Sequence, residues 1–357
     1  MDSQVDSQRL TSACLFGLCG LWLLAFIVLP GLSGSQLWAQ SKAKAPSPRE
    51  ATQLVIYSSQ KEHILRELLG AYTEDTGVRV QLVYDQAGPL LTKLRAEGTS
   101  SPADVLLAID AGNLWLASRQ NLLRSLDSKL LQEGVPVHLR DPQGAWFGLS
   151  KRVRSVVYNP DLVDPKDLGD YEDLALPKWK GKLCLRTSQH VYNQSLVAVL
   201  LESWGEERTL KMLRGWVSNL AAPVFANDTQ MLQAVARGQC QVGISNSYYL
   251  ARLLNEQPDL KVRNHWPHPV HVNVFGGGVT RSSRQAELAQ SFLEWLVSER
   301  GQQLIAGANF EYPVRASVQP AEVVRGWGQF EAFEVNLSVA GERQSAAVRL
   351  MDRARFR

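Results

Sequence analysis

The sequence predicts an α/β fold in two lobes, and three observations carry that expectation. Short apolar runs alternate with amphipathic stripes of helical length, a spacing that calls for parallel strand pairing. The same alternation occurs twice, once in each half of the chain. And 357 residues, 45% hydrophobic and 20% charged, make an ordinary globular chain too long for one core to serve comfortably.

The first half opens with the apolar strand Leu54 to Tyr57, with Ser58 and Ser59 as candidate caps for a helix over residues 61–75. Ile64, Leu65, Leu68, Leu69 and Tyr72 form its stripe, and Gly77 closes it. A strand over 78–84, a helix over 90–97 and a strand over 104–109 complete a three-stranded parallel unit, followed by a helix near 112–119. Residues 140–150 turn into an extended run through Val153 to Tyr158, expected as the first crossing between lobes.

The second half repeats this grammar. A strand over 181–185 leads to Thr187 and Ser188, which cap a helix carrying Tyr192, Leu196, Val199 and Leu200. Helices over 206–220 and 228–237 follow, then the strand residues Val242 and Ile244. Asn246 and Ser247 are N-cap candidates for a helix striped by Leu250, Leu253 and Leu254, with Tyr248 and Tyr249 in its first turn. His271 to Val279 is extended and glycine-rich, suited to a strand returning to the first lobe, and one helix is expected over 284–307. The arginine-rich end after about Ser338 reads as a solvated tail, with contact to a membrane surface as the sharper alternative. The expected division is 1–39 signal peptide or anchor, 40–52 linker, 53–150 with 270–312 as lobe 1, 151–269 with 313–340 as lobe 2, and 341–357 basic tail.

Residues 13–32 are almost wholly apolar and lead to Leu37-Trp38-Ala39, the form of a secretory signal cut after Ala39, or of an uncleaved anchor. Either places the remainder in the periplasm. Cys14 and Cys19 lie in that segment, which leaves Cys184 and Cys240 as the pair in the mature part, and two cysteines in an exported domain most simply form one disulfide. The net charge of +3 and the missing zinc-finger, RNA-binding and basic-zipper patterns argue against nucleic acid. No nucleophile elbow, His-Glu-x-x-His helix, P-loop or dinucleotide fingerprint is present, so an enzyme is not expected.

Tyr57, Tyr192 and the pair Tyr248 and Tyr249 all sit at strand-to-helix junctions. In open α/β sheets ligands bind beyond the carboxyl ends of strands, so these loops would face one cleft. A phenol titrates near pH 10 unaided, and a hard trivalent metal such as ferric iron would bring it to phenolate at neutral pH. Alternatively, the rings stack on a sugar or cage an organic cation, or one of Tyr248 and Tyr249 is core and the other surface. Thr187, Ser188 and the free amides beside Tyr192 would hold a carbonate-like anion, with Arg152 or Arg154 as charge partner.

Several strings are specific rather than compositional: Tyr57-Ser-Ser-Gln, Ser101-Pro-Ala-Asp-Val-Leu, Ile109-Asp-Ala-Gly-Asn-Leu-Trp, Trp146-Phe-Gly-Leu-Ser-Lys-Arg, Tyr192-Asn-Gln-Ser-Leu-Val-Ala, Asn246-Ser-Tyr-Tyr-Leu-Ala-Arg-Leu and Asn309-Phe-Glu-Tyr-Pro-Val. With them the chain, from about residue 53 to 315, resembles the periplasmic ferric-iron-binding proteins of ABC transporters, transferrin-like bacterial solute-binding proteins. The resemblance implies a hinged type II periplasmic-binding-protein architecture, a monomer that delivers Fe3+ to an inner-membrane permease and its ATPase. It maps the metal-binding tyrosines onto Tyr192, Tyr248 and Tyr249 and implies that Cys184 pairs with Cys240. Many relatives place His, or His-Tyr, a few residues after the first strand; here Lys61 and Glu62 stand in those places, with His63 one later. Glu62 and His63 are therefore candidate ligands alongside Tyr57, although a glutamate in a first helical turn also compensates the dipole. The alternative function is binding of another solute, a polyamine, sugar, phosphonate or sulfate, on the same fold.

Overall fold

The computed structural model describes residues 52–357. The apolar N-terminal segment, the cut after Ala39 and nearly all of the linker lie outside the described residues. Among the described residues, no helix is long and apolar enough to cross a membrane.

Apolar β-branched runs separated by amphipathic helices fold as the pattern requires. Strand β1 (Gln53–Ser58) leads to α1 (Glu62–Thr76), β2 (Arg79–Tyr84), α2 (Ala87–Glu97), β3 (Val105–Ile109), α3 (Ala111–Arg119) and α4 (Lys129–Gly134). β1 lies between β2 and β3 and pairs with both in parallel. Gly77 ends α1 in the left-handed conformation. Its start differs from the sequence expectation. Lys61 holds the N-cap position without a side-chain bond, because the Ser58 hydroxyl accepts from the Gln60 amide and the Ser59 hydroxyl from the Ile109 amide.

The long β4 (Phe147–Tyr158) crosses into the second half, which continues with β5 (Leu183–Cys184), α5 (Val191–Trp204), α6 (Glu206–Ser218), α7 (Asp228–Ala236), β6 (Val242–Asn246), α8 (Ser247–Glu256) and β7 (Arg263–His265). The return strand β8 (His271–Val279) is followed by α9 (Ala286–Leu296), α10 (Glu299–Asn309), β9 (Tyr312–Pro313), α11 (Glu322–Arg325), α12 (Val339–Glu342) and α13 (Gln344–Arg353). The described strands form one sheet in the order β2-β1-β3-β8-β4-β6-β5, with β7 and β9 also on β4. The antiparallel pair β4 and β8, matched from Phe147–Gly277 to Arg154–His271 with a bulge between Gly148 and Ser150, runs from one half of the sheet into the other. The glycine run on β8 exists because this crossing is tight: a Cβ on Gly276 would lie 2.6 Å from the Phe147 carbonyl oxygen, and one on Gly278 2.4 Å from that of Ala145.

The two halves are also tied by a buried carboxyl. Asp110, the N-cap of α3, accepts from the Ser195 hydroxyl on α5 at 2.7 and 2.6 Å and from the Asn273 amide on β8 at 2.8 Å. Burial pushes its carboxyl up to about 7. In the second half Cys184 and Cys240 form the expected disulfide, fastening β5 to the turn that enters β6.

Two further expectations fail. The segment 284–307 is two helices, since Val297 ends α9 and the Ser298 hydroxyl caps α10 by accepting from the Gly301 amide. The arginine-rich end is not a solvated tail: α12 packs on both α3 and α5, and α13 on α5 and α6. Its arginines stay outward, with Arg343 paired to Glu202 and Arg353 to Glu206, while Ala347, Leu350, Met351 and Phe356 are buried. The apolar residues are spaced for a helical face, which the charge count obscures.

Candidate metal centre

A cleft of about 730 Å³ lies beyond the carboxyl ends of β1, β2, β5 and β6, the end at which such sheets bind ligands. Its second-half wall is built at two helix mouths. Tyr192 is the second residue of α5, and Tyr248 and Tyr249 the second and third of α8. The Tyr192 and Tyr248 hydroxyls stand 3.1 Å apart, and the Tyr248 and Tyr249 ring centroids 4.3 Å apart. Three phenols from two helices thus converge on one spot. Among the described residues no group of three or more His, Cys, Asp or Glu gathers to hold a metal, and the oxygens that cluster in the cleft are phenolic.

The cluster is strongly desolvated. Burial pushes the Tyr192 phenol up, opposed by Arg152, and burial with repulsion from Tyr192 and Tyr249 pushes Tyr248 up further. Without a cation of higher charge both stay protonated, and a metal that replaces those protons would satisfy the desolvated oxygens.

Arg152 and Arg154, expected to partner a bound anion, are buried behind the tyrosines rather than in the cleft. Arg152 donates to the Tyr192 hydroxyl at 3.2 Å and to Glu311 at 2.8 Å, and its guanidinium lies 5.1 Å from the Tyr248 ring centroid. Arg154 donates to Asp228, to Asn193 at 2.8 Å and to Asn246 at 3.3 Å. The Asn246 side chain is therefore occupied and does not cap α8. Both arginines sit on the β4 face covered by α5 and α8, which is why their charges point inward. Thr187 and Ser188 do not cap α5 or line the cleft; the cap is His190, whose Nδ1 accepts from the Tyr192 amide at 3.3 Å. Burial, reinforced by Arg186, lowers His190 to about 3, so its ring is neutral. With Nδ1 accepting, Nε2 carries the proton and is a donor, not a metal ligand.

The first-half wall departs furthest from the sequence reading. Tyr57 is part of β1 and faces α2, where its hydroxyl donates to Glu97 at 3.0 Å and Lys93 lies over its ring; burial and Glu97 push it up to about 12. It does not reach the cleft. Glu62 points outward, its side chain 69% exposed and 3.8 Å from Arg66. Lys61 and His63 do line the cleft. So do Arg186, Arg252 and Tyr84, none of which the sequence reading singles out. Arg186 lies two residues past β5 and Tyr84 ends β2, so the strand-end rule that finds Tyr192 would also have found both.

A model of the bacterial extracellular solute-binding protein family matches residues 54–311. The chain is 39% identical over 320 residues to "Iron uptake protein A1" of Synechocystis sp., covering 87% of this chain and 89% of that protein. It is 28% identical over 311 residues to the "Major ferric iron-binding protein" of Neisseria gonorrhoeae, covering 84% and 92%. Among solved structures, a Trichodesmium protein in complex with iron and citrate ligands is similar at 39% identity and a TM-score of 0.81, over 85% of this chain and 100% of that one. The ferric binding protein from Campylobacter jejuni is similar at 30% identity and a TM-score of 0.80, again over 85% and 100%.

Proposed function

The chain belongs to the bacterial extracellular solute-binding protein family, and from that premise we propose that it captures ferric iron in the periplasm as the binding component of an ABC transporter. Tyr192, Tyr248 and Tyr249 are the ligands in this reading. Residues 53–150 with 270–312 form the lobe that closes onto the lobe of residues 151–269 with 313–340, joined by β4 and β8. The protein is a binder and not an enzyme. Its iron is cargo, handed to an inner-membrane permease and its ATPase.

The observation that carries this reading is the 3.1 Å contact between the Tyr192 and Tyr248 hydroxyls beside Tyr249. Three phenolates match the charge of a ferric ion and its preference for hard, anionic oxygen. A sugar or a polyamine would be better served by amides and carboxylates than by phenols stripped of water. A small synergistic anion fits the same cleft, with Arg186 and Arg252 on its wall as charge partners in place of Arg152 and Arg154.

The test is optical. Protein freed of metal should develop a visible phenolate-to-iron band with one equivalent of ferric salt, and Tyr249→Phe should weaken it. A wild-type protein that stays colourless and gains no thermal stability with ferric iron would refute the assignment.

A further inference from the structure

All three tyrosines above belong to one lobe, on α5 and α8. A ligand drives closure only through contacts it makes better in the closed state than in the open one. An ion held by these phenols alone has the same partners in both, so closure driven by the metal itself needs a group of the opposite lobe that reaches it on closing. On the first-lobe wall the candidates are few. Gln60, Gln86 and Asn113 offer neutral amides and Lys61 a cation, none suited to a hard trivalent ion. Glu62 is turned away toward Arg66, and the Asp85 carboxylate lies outside the cleft lining and accepts the Gln86 amide at 2.7 Å. That leaves the His63 imidazole and the Tyr84 phenol, of which the phenol is the harder donor.

Tyr84 also has the placement. It ends β2 in register with Ser58 of the parallel β1, and the chain leaving Ser58 runs directly to Lys61 and His63. Tyr84 is 48% exposed on the cleft wall, and no hydrogen bond to another described residue ties its hydroxyl down, so the phenol is free to turn toward a bound ion. We infer that Tyr84 is the first lobe's iron ligand, its hydroxyl losing a proton to solvent as the oxygen bonds to the ferric ion of the closed cleft. This rests on the ferric reading given above. With four phenolates the complex would carry one surplus negative charge, which the Lys61 ammonium on the same wall offsets.

The experiment compares wild type, Tyr84→Phe and His63→Ala, each stripped of metal and titrated with ferric ion, by visible absorbance and by the change in radius of gyration in X-ray scattering. Since Tyr84 is half exposed and makes no hydrogen bond to another described residue, Tyr84→Phe should match the wild-type melting temperature without metal. It should keep a visible band from the second-lobe phenolates, lose the iron-dependent compaction and bind iron at least about tenfold more weakly, the scale on which metal sites respond to lost supporting groups. A Tyr84→Phe protein that compacts and binds as wild type does overturns the inference, as does loss of compaction in His63→Ala alone. A wild type that never colours defeats the ferric reading instead, so the two failures are distinct.

Discussion

The Arg152 guanidinium donates to the Tyr192 phenol oxygen across 3.2 Å while its other terminal nitrogen is fixed 2.8 Å from Glu311. A full positive charge is thus held, with almost no solvent contact, against an oxygen that would become an anion as the iron ligand proposed above. The arrangement favours phenolate at Tyr192, partly offsetting the burial that disfavours it.

Arg152→Gln should therefore move the onset of the iron band to higher pH and weaken iron binding, by about tenfold for each pH unit through which that onset moves. The substitution also strands Glu311, a buried carboxylate, which by itself destabilises the fold. The double variant Arg152→Gln with Glu311→Gln separates the effects. Its melting temperature should recover toward wild type while the pH at which colour appears stays high.

Asp228 anchors the other arginine pair. Its carboxylate is fully buried, and although burial opposes ionisation, Arg154 and Arg186 together hold its pKa below the ordinary range. Asp228→Asn keeps the shape and leaves two buried guanidiniums without a counter-charge, a loss of roughly 3–5 kcal/mol at neutral pH. Because the folded pKa is depressed, the stability from the carboxylate is present above its unfolded pKa and fades as pH falls through and below about 4. Melting curves of variant and wild type should accordingly converge in acid.

The β-strands, the repeated α/β grammar and the three second-lobe tyrosines are legible in the sequence because period and position carry them: Val242 and Ile244 alternate, and Tyr248 follows a strand end directly. What is not legible depends on pairing in space. Nothing local to Tyr57 says that it faces Glu97 rather than the cleft, since a residue one place earlier on a strand points to the other face. Thr187 and Ser188 have good cap chemistry, yet the chain runs past them to His190 before turning helical. Arg152 and Arg154 look like surface charge until Glu311 and Asp228, distant in sequence, are brought against them. The final helix is hidden because five arginines dominate the last fifteen residues while its buried face is set by Ala347, Leu350 and Met351.

His271 is buried, with neither ring nitrogen hydrogen-bonded, and burial together with Arg154 lowers it to about 3. The unfolded chain takes up the proton near pH 6.5. The unfolded state therefore binds more protons than the folded one between about pH 6.5 and pH 3, and stability falls steadily as pH drops through that window. His271→Phe keeps an aromatic ring without titrating, so it should flatten that part of the profile. Melting temperatures at about pH 7 and pH 4.5 give the comparison, and an unchanged slope would show that other groups govern acid stability.

The C-terminal helices matter most where they touch both halves. Gly341 on α12 lies against Trp115 of α3, so close that a Cβ would meet the indole at 2.5 to 2.7 Å. α12 also packs on α5, so it is not free to shift away from the ring. Gly341→Ala should thus cost about 1–3 kcal/mol, the usual range for overpacking, and lower the melting temperature without iron. The loss should include a change at the interface of α3 and α5, since α12 is wedged between them and Asp110 and Ser195 close the same interface. Hydrogen exchange over residues 111–119 and 191–204 should rise together in the variant. If only α12 and α13 exchange faster, the C-terminal helices are a cover laid on a finished fold, not part of what holds its halves together.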